Sequence, residues 1–314
     1  MPDGASDLVF EARELLGADV RPLDGGYSGE TFLVTAAGEQ TVLRFYNRQP
    51  ERAQIDTALL RLVRGLLPVP RVLDAKPATG DGPAYVLLER LPGIRLDTFL
   101  AEQKDPALLA KAGQAAGEIL ARLSGMPFVT SGEFADQDLT IRPWPPGMGG
   151  LPDFVESHRT KGRLAGWNAQ DFAALLEIAV DAQVLLDTHD RVCLCHSDFN
   201  PKNLLVDPES GEVTGLIDWE YAHAGMPHAD LGNLLRFETV GEFCHNVVAS
   251  YRTHVPNLSD GMLELGRAAD LFALVDLAGR ERSNRVVELA NVLLRSTVES
   301  GNLNAGRPDW ESSA

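Results

Sequence analysis

The stretch His196-Ser197-Asp198-Phe199-Asn200-Pro201-Lys202-Asn203 sets an amide five positions after a carboxylate, and Ile217-Asp218-Trp219 supplies a second carboxylate shortly afterwards. Between them, Leu204-Leu205-Val206 and residues 213–217 have strand composition, and residues 208–211 have turn composition. Folded as an antiparallel hairpin, these pieces return Asp218 to the side of Asn203. An amide oxygen and a carboxylate suit Mg²⁺, which takes a few hard oxygens from a protein and fills its shell with water and phosphate oxygens. Asp198 is then left to orient and deprotonate an acceptor hydroxyl. Such a set matches the needs of phosphoryl transfer, where a protein supplies positioning and charge neutralisation.

Elements that could carry these groups are legible on both sides. Residues 6–16 read as a short helix closed by Gly17. Thr31–Ala36 and residues 40–46 read as strands joined by a turn containing Gly38 and Glu39. The spacing predicts a helix over 53–66, with Ile55, Leu59, Leu62, Val63 and Leu66 on one face. Residues 69–73 and 85–88 read as further strands. Pro92-Gly93 breaks the pattern and marks an expected lobe boundary, giving lobes 1–91 and 92–314. Asp105-Pro106 supplies an N-cap and first-turn proline for a helix to about residue 123, and Asn168 with Asp171 resembles a capping box for another to about residue 186. Residues 141–152, rich in Pro and Gly, read as loop. Val192–Cys195 reads as a strand, and the chain from His228 onward is expected to be almost wholly helical.

The composite of HxDxxxxN, a hairpin and Ile-Asp-Trp resembles the catalytic and metal-binding segments of the protein kinase superfamily. Asp218-Trp219-Glu220 in place of Asp-Phe-Gly makes it similar to the aminoglycoside phosphotransferase and choline kinase branch. Ala224-Gly225-Met226-Pro227-His228-Ala229-Asp230-Leu231 resembles the same branch, in which an aspartate at the position of Asp230 begins a helix and buttresses the catalytic loop. The resemblance runs from about residue 20 to 300. It implies a bilobal α+β, protein kinase-like fold, with a five-stranded antiparallel N-terminal nucleotide-binding lobe and a larger, mainly helical C-terminal lobe for catalysis and substrate binding. It further implies ATP or GTP as donor, Mg²⁺, Asp198 as base and Asn203 and Asp218 as metal ligands. His196 is expected to shape the loop by hydrogen bonding rather than to act as acid or base.

The front part agrees with that reading. Gly25-Gly26-Tyr27-Ser28-Gly29-Glu30-Thr31 is a glycine-bearing turn whose amides, with Ser28 and Thr31, could approach phosphate closely. No Gly-Lys-Ser/Thr follows, so it is not a Walker loop. Thr41-Val42-Leu43-Arg44-Phe45-Tyr46 resembles the strand carrying the phosphate-binding lysine, with Arg44 in its place; Asp56 stands where a pairing glutamate is usual. A longer cation facing a shorter acid would keep the Arg44–Asp56 gap similar. By resemblance, backbone groups near Glu89 and Leu91 would meet the adenine ring.

Composition bounds the remainder. The 314 residues are 44% hydrophobic and 23% charged, ordinary for a globular protein. Three cysteines, two of them one residue apart, are not a disulfide framework and point to a reducing cytoplasm. Cys193, Cys195 and His196 lack the further partners of a zinc site. No run of about 18 or more apolar residues occurs and the first residues lack a basic-then-apolar pattern, so neither a membrane span nor a signal peptide is expected. The net charge of −17 disfavours nucleic acid and, beyond solubility, favours a cationic acceptor. Glu220, Glu238, Asp276 and Glu281 are candidate contacts for it. The expected partner is thus a small-molecule hydroxyl acceptor, antibiotic or metabolite, bound by a monomer or homodimer. A protein-substrate kinase is disfavoured because Asp230 follows Asp218 too soon for an activation loop. A catalytically inactive nucleotide-binding regulator would be expected to have lost Asp198, Asn203 or Asp218.

Overall fold

The computed structural model describes residues 13, 17–23, 31–80, 82–145, 150–255, 261–282 and 284–306. The expected helix over 6–16 falls largely outside them, as does the turn from Gly25 to Glu30.

The front sheet begins with β1 (Asp19–Pro22), β2 (Thr31–Ala36) and β3 (Glu39–Phe45). Phe32 and Val34 on β2 and Leu43 and Phe45 on β3 alternate inward and meet Val20 and Tyr85 in one apolar cluster. The turn between β2 and β3 is tighter than expected. Its two central residues are Ala37 (φ 51°) and Gly38 (φ 87°), both left-handed as a two-residue hairpin requires, and Glu39 already belongs to β3.

Helix α1 (Arg52–Val63) follows and ends earlier than its periodicity suggested. Arg64 is extended and Gly65 is left-handed (φ 84°), so Leu62 and Leu66 stay 43% and 50% exposed while Ile55, Leu59 and Val63 are buried. Strand β4 (Val72–Lys76) starts three residues later than read from sequence, beyond Pro68 and Pro70, which have no N–H for a ladder. With β5 (Tyr85–Glu89) it completes an antiparallel sheet of order β1-β2-β3-β5-β4.

The chain leaves this sheet through Pro92 and Gly93. A side chain at Gly93 (φ 108°) would meet the Val206 carbonyl at 2.7 Å, so only glycine fits there. Strand β6 (Ile94–Arg95) leads into helix α2 (Leu96–Glu102), not foreseen from sequence, and α3 (Pro106–Ser124). Asp105 caps α3 by accepting the Ala107 N–H at 2.9 Å. Three short strands follow: β7 (Pro127–Phe128), β8 (Gly132–Phe134) and β9 (Ile141–Arg142). Helix α4 (Leu151–Glu156) comes next, so the region read as loop over 141–152 opens in a strand and closes in a helix. Asn168 accepts the Asp171 N–H at 2.8 Å and caps α5 (Ala169–Leu186) as expected.

Strand β10 (Val192–Cys195), β11 (Leu204–Val206), β12 (Val213–Leu216) and β13 (His223–Gly225) carry the motif region. They sort into two sheets, β7-β10-β13-β8-β9 and β12-β11-β6. Helices α6 (Ala229–Leu235), α7 (Gly241–His254), α8 (Met262–Ala278) and α9 (Arg285–Ser300) complete the back part. The short α6 lies against α8: a side chain at Gly232 would sit 2.1 Å from the Gly266 carbonyl. A cluster that includes Leu59 and Val63 of α1, Leu120 of α3, Phe199, Leu216 and Trp219 joins the front helix to the motif region. A second fills the space among α4, α5, α8 and α9. The architecture is α+β, an antiparallel sheet followed by a largely helical part.

Candidate active site

Asp198 leaves β10 through a backbone bend at Ser197, which holds a left-handed φ of 64°. A non-glycine residue there costs about 1–2 kcal/mol, so its neighbours must impose it. They do so through α6. The two carboxylate oxygens of Asp230 accept the N–H groups of His196 and Ser197, each at 2.7 Å, and Asn233 donates Nδ2–H to the Ser197 carbonyl at 3.0 Å. Burial raises Asp230 to about 6, with the two backbone donors opposing the shift. These bonds tie the start of α6 to the segment that leads to Asp198.

His196 is fully buried and spans the two acid-bearing segments. Its Nδ1 accepts the Asp198 N–H at 3.3 Å, so its Nε2 carries the proton and donates to the Ile217 carbonyl at 3.1 Å. Burial lowers it to about 4, and the ring is neutral. Trp219 packs edge-on against it, with ring centroids 4.9 Å apart.

The Asp198 carboxylate is clamped on both oxygens. Asn203 Nδ2–H donates to one at 2.6 Å and Asn200 Nδ2–H to the other at 2.7 Å. Burial raises the acid above the ordinary carboxylate range; Asn203 pulls it down, the Asp218 charge pushes it up, and Arg236 pulls it down. Asp218 therefore lies within electrostatic reach of Asp198. The hairpin explains this: Leu204 pairs with Leu216, and the Ile217 N–H donates to the Asn203 carbonyl at 2.9 Å, which sets Asp218 just past Asn203. Asp218, like Ser197, is left-handed (φ 66°). Because the nitrogen of the Asn203 amide is committed to Asp198, its oxygen is the end available to a cation.

Arg44 corrects an expectation. Its guanidinium donates to Asp218 at 2.7 Å and to Glu220 at 2.5 Å, not to Asp56. Asp56 instead accepts Arg52 Nε–H at 2.7 Å, one turn away on α1, and the Tyr46 hydroxyl at 2.8 Å. Side-chain length does not decide the pairing, because Arg44 lies on β3 facing the motif region and a nearer arginine sits four residues before Asp56. Arg52 also donates to the Trp219 carbonyl, so α1 is tied to the Asp218 segment by a residue that the sequence reading did not select. Burial works against the Arg44 charge, but Tyr46, Asp218 and Asp56 outweigh it and the group is held above its ordinary value. Burial and Asp218 raise Glu220, with Arg44 opposing.

Thr31 lies opposite Arg44 in the β2–β3 register, at the mouth of the expected phosphate turn, and Ser28 lies outside the described residues. The Glu89 N–H is taken by the Arg71 carbonyl at 2.9 Å, and the Glu89 side chain is about half exposed. Leu91 lies past the end of β5, against Gly215.

The four acids proposed for a cationic acceptor are not gathered. Glu220 lies in the cluster through Arg44. Glu238 folds back to accept the Thr239 and Val240 N–H groups at 2.8 and 2.9 Å. Asp276 pairs with Arg280 at 2.9 Å, and Glu281 is exposed just beyond α8. Length and charge alone could not separate acids already satisfied locally from one facing the site. Asn200 and Asn233 were missed as well. An asparagine before a proline is a recognisable turn signal, and the Asn200 Oδ1 accepts the Lys202 N–H at 3.0 Å, whereas Asn233 could be found only through the packing of α6.

A family model described as the phosphotransferase enzyme family matches residues 19–260. The chain belongs to this family. An aminoglycoside 3'-phosphotransferase of Streptomyces ribosidificus is 25% identical over 224 residues, covering 70% of this chain and 80% of that protein. A mouse acyl-CoA dehydrogenase family member 10 is 26% identical over 220 residues; the match covers 66% of this chain but only 19% of that longer protein. Among solved structures, a thermostable mutant of aminoglycoside phosphotransferase APH(4)-Ia in ternary complex with ADP and hygromycin B superposes with a TM-score of 0.64 at 18% identity, covering 93% of this chain and 98% of that one. The choline kinase LicA of Streptococcus pneumoniae gives 0.62 at 15%, covering 94% and 98%. At these identities the two structures establish the shared fold. No helix of this phosphotransferase, among the described residues, is long and apolar enough to cross a membrane.

Proposed function

We propose that this phosphotransferase moves the γ-phosphoryl group of ATP or GTP onto a hydroxyl of a small molecule. The observation that carries the reading is the Asp198 carboxylate, fixed by two amide donors on a loop pinned by Asp230, beside a second acid brought in by the hairpin. Asp198 would accept the proton of the acceptor hydroxyl as that oxygen attacks phosphorus. Asn203 and Asn200 aim its oxygens, and burial makes it a better base than an exposed aspartate.

The donors present fit Mg²⁺. The Asn203 amide oxygen and the Asp218 carboxylate are hard ligands, and such an ion draws its other ligands from water and phosphate. Bound there, Mg²⁺ would neutralise phosphate charge during transfer. Arg44 would contribute a permanent positive charge on the same side, and Thr31 and Ser28 would face the phosphates. Since the Glu89 N–H serves the sheet, the backbone beyond it toward Leu91 is the better contact for a base. We take residues 1–91 as the nucleotide lobe and 92–314 as the lobe for catalysis and acceptor binding.

The net charge of −17 supports an amine-bearing acceptor. The ternary complex of APH(4)-Ia with hygromycin B supports an aminoglycoside and antibiotic inactivation; the likeness to LicA supports a choline-type metabolite instead. Nucleotide consumption against a panel of aminoglycosides, other antibiotics, choline and amino sugars separates them. For the chemistry, Asp198→Ala should keep nucleotide affinity while turnover falls about 10³-fold. Unchanged turnover would refute the role of Asp198.

A further inference from the structure

A crevice of about 300 Å³ lies away from Asp198, where α1 and the end of β4 meet the 135–140 turn between β8 and β9. Its walls carry Gln54, Thr57 and Arg61 from α1, Lys76 from β4, and Gln137 and Asp138 from the turn. Thr57 is only 6% exposed, yet its hydroxyl has no hydrogen-bond partner. A helical threonine usually returns its hydroxyl to a carbonyl one turn earlier, and a buried hydroxyl left unpaired is an exception that calls for a ligand or water. The side chains of Gln54, Arg61, Lys76, Gln137 and Asp138 likewise have no hydrogen-bond or ion-pair partner among the described residues. Arg61 and Lys76 thus place two cations on the same crevice as an unpaired buried hydroxyl.

We infer that this crevice binds a small phosphate monoester that also bears hydroxyl groups. The oxyanion would take donors from Arg61, Lys76, Gln54 and the Thr57 hydroxyl, all of them cationic or neutral donors from α1 and β4. The facing turn presents the opposite chemistry: Asp138 accepts only, and Gln137 both donates and accepts, which suits ligand hydroxyls rather than phosphate. A ligand so held bridges α1 to the back part. Arg52 and Asp56 leave α1 toward Trp219 and Tyr46, so the bound ester is placed to act as an effector on the helix that supports the Asp218 segment, without entering the site around Asp198.

Backbone amide shifts on titration with glycerol 3-phosphate, at constant ionic strength, test the inference. Saturable shifts are expected at Thr57, Arg61, Lys76 and Asp138. Arg61→Gln combined with Lys76→Gln, both at exposed positions, should weaken binding at least tenfold while leaving thermal stability unaltered; Thr57→Val should weaken it several-fold. No saturable shift at these amides, or equal affinity in the double variant, overturns the site. Inorganic phosphate is expected to bind more weakly than the ester. Equal binding would overturn the assignment to a hydroxyl-bearing ester and leave the facing turn without a part.

Discussion

The two acids of the site stand on different supports. Asp198 follows a strained Ser197 whose backbone is fixed by Asp230 and Asn233, buried groups of the same part of the chain about 35 residues downstream. Asp218 is equally strained, and its segment is held from both sides: His196 of the back part donates to the Ile217 carbonyl, while Arg44 and Arg52 reach in from the front part, 174 and 167 residues away for their bonds to Asp218 and Trp219. The proposed base is thus held by hydrogen bonds from the back part, whereas the second acid depends in addition on how the front sheet and α1 sit against it. Rigidity where a proton must move, and dependence on the nucleotide-side elements where phosphate charge must be met, is a division that the proposed reaction can use.

The comparison can be broken at the stronger support first. Asp230→Ala strands two buried N–H groups and should cost about 3–5 kcal/mol in denaturant unfolding, with activity lost alongside. A loss below about 1 kcal/mol would mean that the loop holds its shape without α6. At the second support, a double-mutant cycle on Arg52 and Asp56 should show coupling of about 2 kcal/mol, since Asp56 is buried and its partner is in contact, and the cycle on Arg44 and Asp56 should show clearly less. Equal coupling in the two cycles would restore the pairing that side-chain length suggested. The smallest effect is a slope. His196 is held at about 4 in the fold against an ordinary 6.5, so unfolding takes up a proton between those values. The stability that it contributes is complete above pH 6.5 and is lost as pH falls toward 4. His228 acts in the same sense, and Asp230, raised to about 6, in the opposite one. His196→Gln should therefore remove about 1.4 kcal/mol per pH unit from the slope of stability against pH in that window. An unaltered slope in the variant would show that the ring is not held neutral.

Much of this was legible from short-range rules. Asp105 and Asn168 cap the helices that their spacing announced, and the hairpin that returns Asp218 to Asn203 follows from strand composition on either side of a turn. Less legible were edges and short pieces. Helix α1 stops at a left-handed glycine rather than where its apolar period ends, and the two-residue strands β6, β7 and β9 have too few residues to show any period.

By itself the sequence determined which residues the proposed chemistry draws on, Asp198, Asn203, Asp218 and Asp230 with the charge around them, because each rests on residue type and spacing within a few dozen positions. Only the tertiary structure decided the partners. That Arg44 meets Asp218 and Glu220, that Arg52 takes Asp56, and that Glu238 and Asp276 are satisfied locally all depend on directions and distances between elements far apart in the chain. Coulomb attraction favours any nearby opposite charge, so which pair forms is settled by packing rather than by the identities of the residues.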